Sequence, residues 1–174
     1  MAIRDIVLAP NPVLKKPAAK VQSVDTEVRA LLDDMLETMY AAPGIGLAAP
    51  QINISQRLVV IDTAGKDDEP DPMRMVNPEL VWVSDEMQTL EEGCLSLPDQ
   101  WGDVTRHSAI KAAWLDENGI RREREATGLL AACIQHEIDH LDGILFVDHM
   151  SALKRNMILR KLAKWKKAKA KEDA

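Results

Sequence analysis

Two histidines four positions apart, His136 and His140, enclose Glu137-Ile138-Asp139, and an upstream segment, Glu92-Gly93-Cys94-Leu95-Ser96, supplies a thiol. On an α-helix, residues i and i+4 leave the same face about 6 Å apart, so both imidazoles can reach one cation at roughly 2.0–2.1 Å with a straight backbone. Glu137 lies beside that face and is free to move protons. The chemistry implied is metal-assisted hydrolysis.

Three residues compete to be the third ligand. Cys133 shares the helix face of His136, but it is seven residues from His140, about 10 Å along the axis, while the donor atoms of one cation must lie within a few ångströms of each other. It reads as core, because a free cysteine packs as a small hydrophobe. His149 follows too soon after a helix stop. Cys94, preceded by Gly93, looks like a residue presented from a strand or tight turn, and it is the expected ligand. One thiolate and two imidazoles leave a fourth position for water, the arrangement of catalytic sites. A dication brings the pKa of such a water to around 7, and Glu137 can pass its proton to a leaving amine.

The elements that must position these residues are partly visible in the apolar spacing. Val28, Leu31, Leu32, Met35, Leu36, Met39 and Tyr40 make one stripe of a core-facing helix after Asp25 and Glu27. That helix must end before Ala42-Pro43-Gly44, where a Gly-rich loop begins. Leu58-Val59-Val60-Ile61 reads as a buried strand, Thr63 to Pro72 as a surface loop, and Met73–Val76 and Leu80–Val83 as two strands around Asn77-Pro78. Ile110–Leu115 and Ile120–Arg124 flank Asn118-Gly119, a hairpin-turn signal. Thr127 is placed to cap a helix running to about Leu141, with Gly143 at its stop.

Size and composition set the class. A chain of 174 residues, 46% hydrophobic and 29% charged, suits one soluble domain that needs no disulfide. Met1-Ala2-Ile3-Arg4-Asp5 lacks the apolar run of a signal peptide, and no stretch approaches the roughly 18 apolar residues of a membrane span. A cytoplasmic location is expected, with the two cysteines free or metal-bound. The net charge of −6 conceals a basic end: residues 151–174 carry nine Lys or Arg against two acids, leaving the first 150 at −13. An acidic body argues against DNA binding, whereas the basic tail could touch an RNA surface. The tail is helix-forming, with Leu153, Met157, Ile158, Leu162 and Trp165 at helical spacing.

Gly44-Ile45-Gly46-Leu47-Ala48-Ala49-Pro50-Gln51, then Glu92-Gly93-Cys94-Leu95-Ser96, then His136-Glu137-Ile138-Asp139-His140 resemble, in order and spacing, the peptide deformylases. The resemblance implies hydrolysis of the N-formyl group from new polypeptides that begin with formylmethionine, releasing formate. It also implies one divalent ion, natively Fe2+, on Cys94, His136 and His140, although zinc, nickel or cobalt suits the same donors. Glu137 would shuttle protons, and the Gln51 amide and Leu95 backbone N–H would stabilise the oxyanion. Ile45, Leu129, Ala132 and Cys133 match the methionine pocket, with Glu92 and Gly93 among the substrate contacts. Residue chemistry agrees at the Gly-rich loop: Gly44 and Gly46 let a backbone approach, and a substrate main chain could pair with Ile45 and Gly46 as an added strand. The chain departs from the family pattern at Pro10-Asn11-Pro12 and at Trp101, where some members carry Arg; an aromatic there changes contacts beyond the first residue of the peptide.

The expected protein is α+β, with mixed or antiparallel strands around a central metal-binding helix and helices at both ends. Residues 1–150 form the catalytic body, and 151–174 a basic helix that is part of it or an extension. That helix is hypothesised to dock on the ribosome. A metallopeptidase shares the helix motif but more often takes its third ligand from a downstream His or Glu. A metal-stabilised, ribosome-associated binding module without turnover would leave Glu137 and the open position without a purpose.

Overall fold

Strands β1 (Gly46–Ala48), β2 (Leu58–Ile61), β3 (Met73–Val83), β6 (Ala109–Leu115) and β7 (Arg121–Thr127) form one antiparallel sheet in the order β1-β2-β3-β6-β7. Strands β4 (Met87–Cys94) and β5 (Leu97–His107) form a separate antiparallel hairpin. The helices are α1 (Thr26–Ala41), α2 (Gly128–Leu141) and α3 (Ala152–Glu172). The computed structural model describes residues 2–174. Met1, the first residue of the N-terminal stretch considered above, lies outside them.

Strand β2 explains the layering. All four of its residues are buried, and successive side chains point to opposite faces. Val59 and Ile61 join Met75, Ile110, Ala112 and Trp114 against Ala131, Ile134, Ile138 and Leu141 of α2. Leu58 and Val60 join Val76 and Leu47 against Val28, Leu32, Met35, Leu36 and Met39 of α1. The sheet is thus sandwiched, with α2 held between it and the β4–β5 hairpin. A third cluster joins Leu97 and Val104 of β5 to Leu145, Phe146 and Val147 and to Ile158 and Leu162 of α3. Among the described residues, no helix is long and apolar enough to cross a membrane.

The sequence expectations hold for β2, the β6–β7 hairpin and α2, and for α1 except at Tyr40, which ends the expected stripe yet is 47% exposed; they fail in five further places. Asp25 caps α1, its carboxylate accepting the Val28 N–H at 2.9 Å. Thr127 stands at the start of α2, yet its side chain makes no capping hydrogen bond, because the residue also ends β7 in extended backbone paired with Ala109. Met73 to Val83 is one strand rather than two: Asn77 takes φ 50°, and its side chain both accepts from Val21 N–H and donates to Val21 O at 2.9 Å, absorbing the irregularity as a bulge. The Gly-rich loop contains a strand, β1, at the sheet's edge. The hairpin β4–β5 was not foreseen. In the tail, Ile158 and Leu162 are buried, but Leu153 and Met157 of the same spacing stay exposed.

Candidate metal centre

Helix α2 carries both histidines on its buried side, and the end of β4 brings Cys94 to meet them. The donor atoms of Cys94, His136 and His140 lie within 4.8 Å of one another, with Cys94 Sγ 3.4 Å from His140 Nε2. The imidazoles meet edge to face, centroids 5.0 Å apart, and His136 stacks on Phe146 at 6.2 Å. A soft sulfur and two imidazole nitrogens at this spacing form a donor set for a transition metal. Cys133 and His149 are not part of this donor group.

His136 is oriented from behind. Its Nδ1 bonds to Glu92 Oε1 at 2.9 Å, which turns Nε2 toward Cys94 and His140. A carboxylate on the remote nitrogen fixes the tautomer and raises the basicity of a liganding histidine. Glu92 is in turn held by Arg106, whose Nε and Nη2 donate to its two oxygens at 2.7 and 2.9 Å. Arg106 Nη1 reaches Asp139 Oδ2 at 2.8 Å, and His149 Nε2 meets that same oxygen at 2.8 Å. Burial alone would raise the pKa of Glu92, but hydrogen bonds from His136 and Arg106 outweigh it and hold the carboxyl down at about 2. Glu92 was expected among the substrate contacts; it lines the cleft with both oxygens already engaged.

Glu137 is the opposite case. Burial pushes its pKa up to about 7, and its Oε1 has no hydrogen-bond partner among the described residues. A buried, unpartnered carboxyl oxygen calls for an explanation; Glu37 Oε2 on α1 is another, but that of Glu137 alone lies in the cleft wall beside the donor atoms. Its other oxygen faces Gly46, where a β-carbon would come within 2.7 Å of Oε2. Only glycine lets β1 pass this close.

The donors open onto a cleft of about 680 Å³ between β1 and β4. Its wall includes Gly44, Ile45, Gly46, Gln51, Glu92, Gly93, Cys94, Leu95, Leu129, Ala132, Cys133, His136 and Glu137, so each expected site residue except His140 lines it. Gln51 is buried, its Oε1 accepting from Ala48 N–H at 2.9 Å and its Nε2 lying 3.2 Å from Ser96 Oγ and 3.5 Å from Cys94 Sγ. The amide N–H end therefore faces the sulfur. Leu95 occupies the turn joining β4 to β5, directly after Cys94. Sequence reasoning missed Arg106 and the rim Pro98–Gln100. Arg106 had a faint signal: two acids, Glu92 and Asp139, each beside a histidine or cysteine of the site, call for a buried cation.

Residues 3–156 match the family model described as polypeptide deformylase. The chain belongs to the polypeptide deformylase family. It is 51% identical over 168 residues to the peptide deformylase of Phenylobacterium zucineum (strain HLK1), covering 97% of this chain and 99% of that one. Its fold is that of the crystal structure of a peptide deformylase from Legionella pneumophila, with a TM-score of 0.91, 46% identity, and coverage of 97% and 98% of the two chains. The peptide deformylase from Ehrlichia chaffeensis, solved in complex with actinonin, superposes with a TM-score of 0.90 at 38% identity over 94% of this chain and 98% of that one. The α+β architecture with helices at both ends is thus the architecture of peptide deformylases, and this chain is an enzyme of that family.

Proposed function

We propose that this protein removes the N-terminal formyl group from formylmethionine of newly made polypeptides, with Cys94, His136 and His140 holding one divalent ion, natively Fe2+. The observation that carries the reading is the buried Glu137 carboxyl, unpartnered at Oε1 among the described residues, in the wall of a cleft of about 680 Å³ beside Cys94 and His136, with His140 behind them completing the donor group. A bound ion of this kind supplies Lewis acidity that acidifies water and polarises a carbonyl.

The chain's own groups do the rest. Glu137 takes a proton from the attacking water and delivers it to the nitrogen of the departing amine, leaving formate and a free N-terminus. The Gln51 amide and the Leu95 N–H donate to the formyl oxygen as it gains charge; losing one such donor typically costs about 10²–10³ in rate. The methionine side chain enters between Ile45, Leu129, Ala132 and Cys133, and the peptide backbone runs along Gly44–Gly46 and Gly93 as an added strand. His149, the downstream histidine that a peptidase reading would recruit, is tied to Asp139 instead. Residues 1–150 form the catalytic body, and 151–174 are an integral part of it, a reading supported by the packing of Ile158 and Leu162 with Leu97 and Val104. The proposed location is the cytoplasm, where new formylated chains arise.

The test is formate release from formyl-Met peptides by native protein and Glu137→Ala at equal bound metal. The variant should be slower by about 10²–10⁴. Equal and negligible rates would remove the enzymatic reading of the site.

A further inference from the structure

The pairing of β4 with β5 breaks beside the thiol. Gly93 pairs with Trp101 and Cys94 with Leu97, so Pro98, Asp99 and Gln100 bulge from β5 opposite a single step of β4. Bulges bend a strand and re-aim its side chains, and they are common next to active sites. At the centre of this one Asp99 takes φ 61°, in the left-handed region that Asp tolerates better than most residues but that its β-carbon still disfavours. Beyond the bulge, Trp101 is 63% exposed at the cleft's rim and lies across Gly93, where a β-carbon would sit 2.3 Å from the indole.

The bulge is held from outside the cleft. Trp165 Nε1 of α3 donates to Asp99 Oδ2 at 2.7 Å, and the Trp165 ring packs on the cluster containing Leu97 and Val104. The next residue, Lys166, donates through Nζ to Ala9 O, and the Ala9 N–H donates to Ser96 O at 2.9 Å. Two successive residues of α3 thus reach both flanks of the segment that follows Cys94, and neither lines the cleft.

We propose that Trp165 is a positioning residue: by holding Asp99 it fixes the Pro98–Gln100 bulge and the pose of Trp101, so that the C-terminal helix shapes the outer cleft where a peptide beyond its first residue lies. The inference rests on the deformylation reading. It follows from the division of the wall into a buried floor, Gln51, Ala132 and Cys133, and an exposed rim to which Trp101 belongs. The side-chain hydrogen bond that α3 makes to the cleft wall goes to the rim, at Asp99, whereas the buried wall residue Leu97 meets α3 only through apolar packing.

The experiment uses the full-length, metal-loaded enzyme and compares formyl-Met amide with a formyl-Met tetrapeptide. Trp165→Phe keeps an aromatic ring and removes the donor; Asp99→Ala removes the acceptor. Each should raise KM for the tetrapeptide roughly fivefold, less than the full worth of one charge-assisted hydrogen bond because the pair acts on the peptide only through the bulge and Trp101, with kcat changed by less than about twofold. Trp165→Phe should leave formyl-Met amide kinetics as they are. The double variant should be no worse than either single one, because the pair acts as a unit. Native-like tetrapeptide kinetics in Trp165→Phe, equal losses on both substrates, or additive effects in the double variant would each overturn the proposal. If Trp165→Phe does not accumulate, the length dependence of Asp99→Ala decides. Absence of formate release by the native enzyme would instead defeat the reading on which this one stands.

Discussion

Helices α2 and α3 are consecutive in the chain and opposite in what they bury. Of the 14 residues of α2, ten are buried, among them Gln135, His136, Glu137 and His140; of the 21 in α3, two are. A buried polar group needs a partner or a purpose, and α2 draws its partners from elsewhere in the fold: Glu92 of β4 for His136, Arg106 of β5 for Asp139, and Cys94 for the histidine pair. Helix α3 solvates most of its charge and contributes through one narrow stripe. The difference teaches that chemistry in this molecule sits where polar side chains have been desolvated by several elements at once.

The sharpest way to break the contrast is to remove the donor that comes from outside α2. Cys94→Ala should lose stoichiometric metal and about 10³ or more of the deformylation rate, while the helix remains, since two imidazoles alone do not complete a site. Elemental analysis paired with formate release checks it. Retention of both metal and rate would mean that α2 supplies the centre without the hairpin.

Arg106 tests the partnership one layer out. Truncation to Ala strands Glu92 and Asp139, two carboxylates that it now holds with three hydrogen bonds between 2.7 and 2.9 Å. Breaking a buried pair by removing one member costs about 3–5 kcal/mol. Urea denaturation should register a loss of that size. A change under about 1 kcal/mol would show that the network is solvated as α3 is.

The two helices were also legible to different degrees, for the same physical reason. Helix α1 and strand β2 announce themselves through apolar period because each packs a continuous face, and the i, i+4 histidines of α2 carry their geometry in their spacing. Strand β4 gives no such signal: from Met87 to Glu91 exposed and half-buried positions alternate with none buried, and the residues there, Met-Gln-Thr-Leu-Glu, show no apolar–polar alternation to match. Its role is to deliver Glu92 and Cys94, which composition cannot reveal. Asn77-Pro78 looked like a break because its side-chain bonds to Val21, 56 residues away, are invisible locally. Arg106 was only faintly legible for the same reason, its partners lying 14 and 33 residues distant. Leu153 and Met157 misled in the other direction, having the spacing of a stripe without a surface to cover.

pH separates two buried carboxyls of opposite sign. The folded pKa of Glu137, raised by burial from 4.5 to about 7, means that its contribution is complete below about pH 4.5 and is lost as pH rises through about 7. Glu92, lowered to about 2, contributes fully above about pH 4.5 and loses its effect as pH falls toward 2. In chelator-treated protein, Glu137→Gln should therefore flatten the stability loss between pH 4.5 and 7 and leave the acid limb in place. Unfolding curves of the two proteins across that range supply the difference. A parallel decline in the variant would assign the window to other groups and remove Glu137 from the contrast.

The smallest effects belong to α3. Leu162 is buried with Phe146 and Leu97, and Leu162→Ala should cost about 2 kcal/mol, the low end for a leucine truncation, because the solvent-facing flank of the helix can close around the gap. Leu153, 72% exposed, and Met157, 47% exposed, should each fall within about 0.5 kcal/mol of the native protein when changed to Ala. Denaturation midpoints of the three variants rank them. If Leu153→Ala proved as costly as Leu162→Ala, the stripe would be packed over its whole length and α3 would resemble α2 after all; the low cost expected instead follows from a helix whose apolar contacts run along Ile158, Leu159, Leu162 and Trp165 and leave Leu153 and Met157 to water.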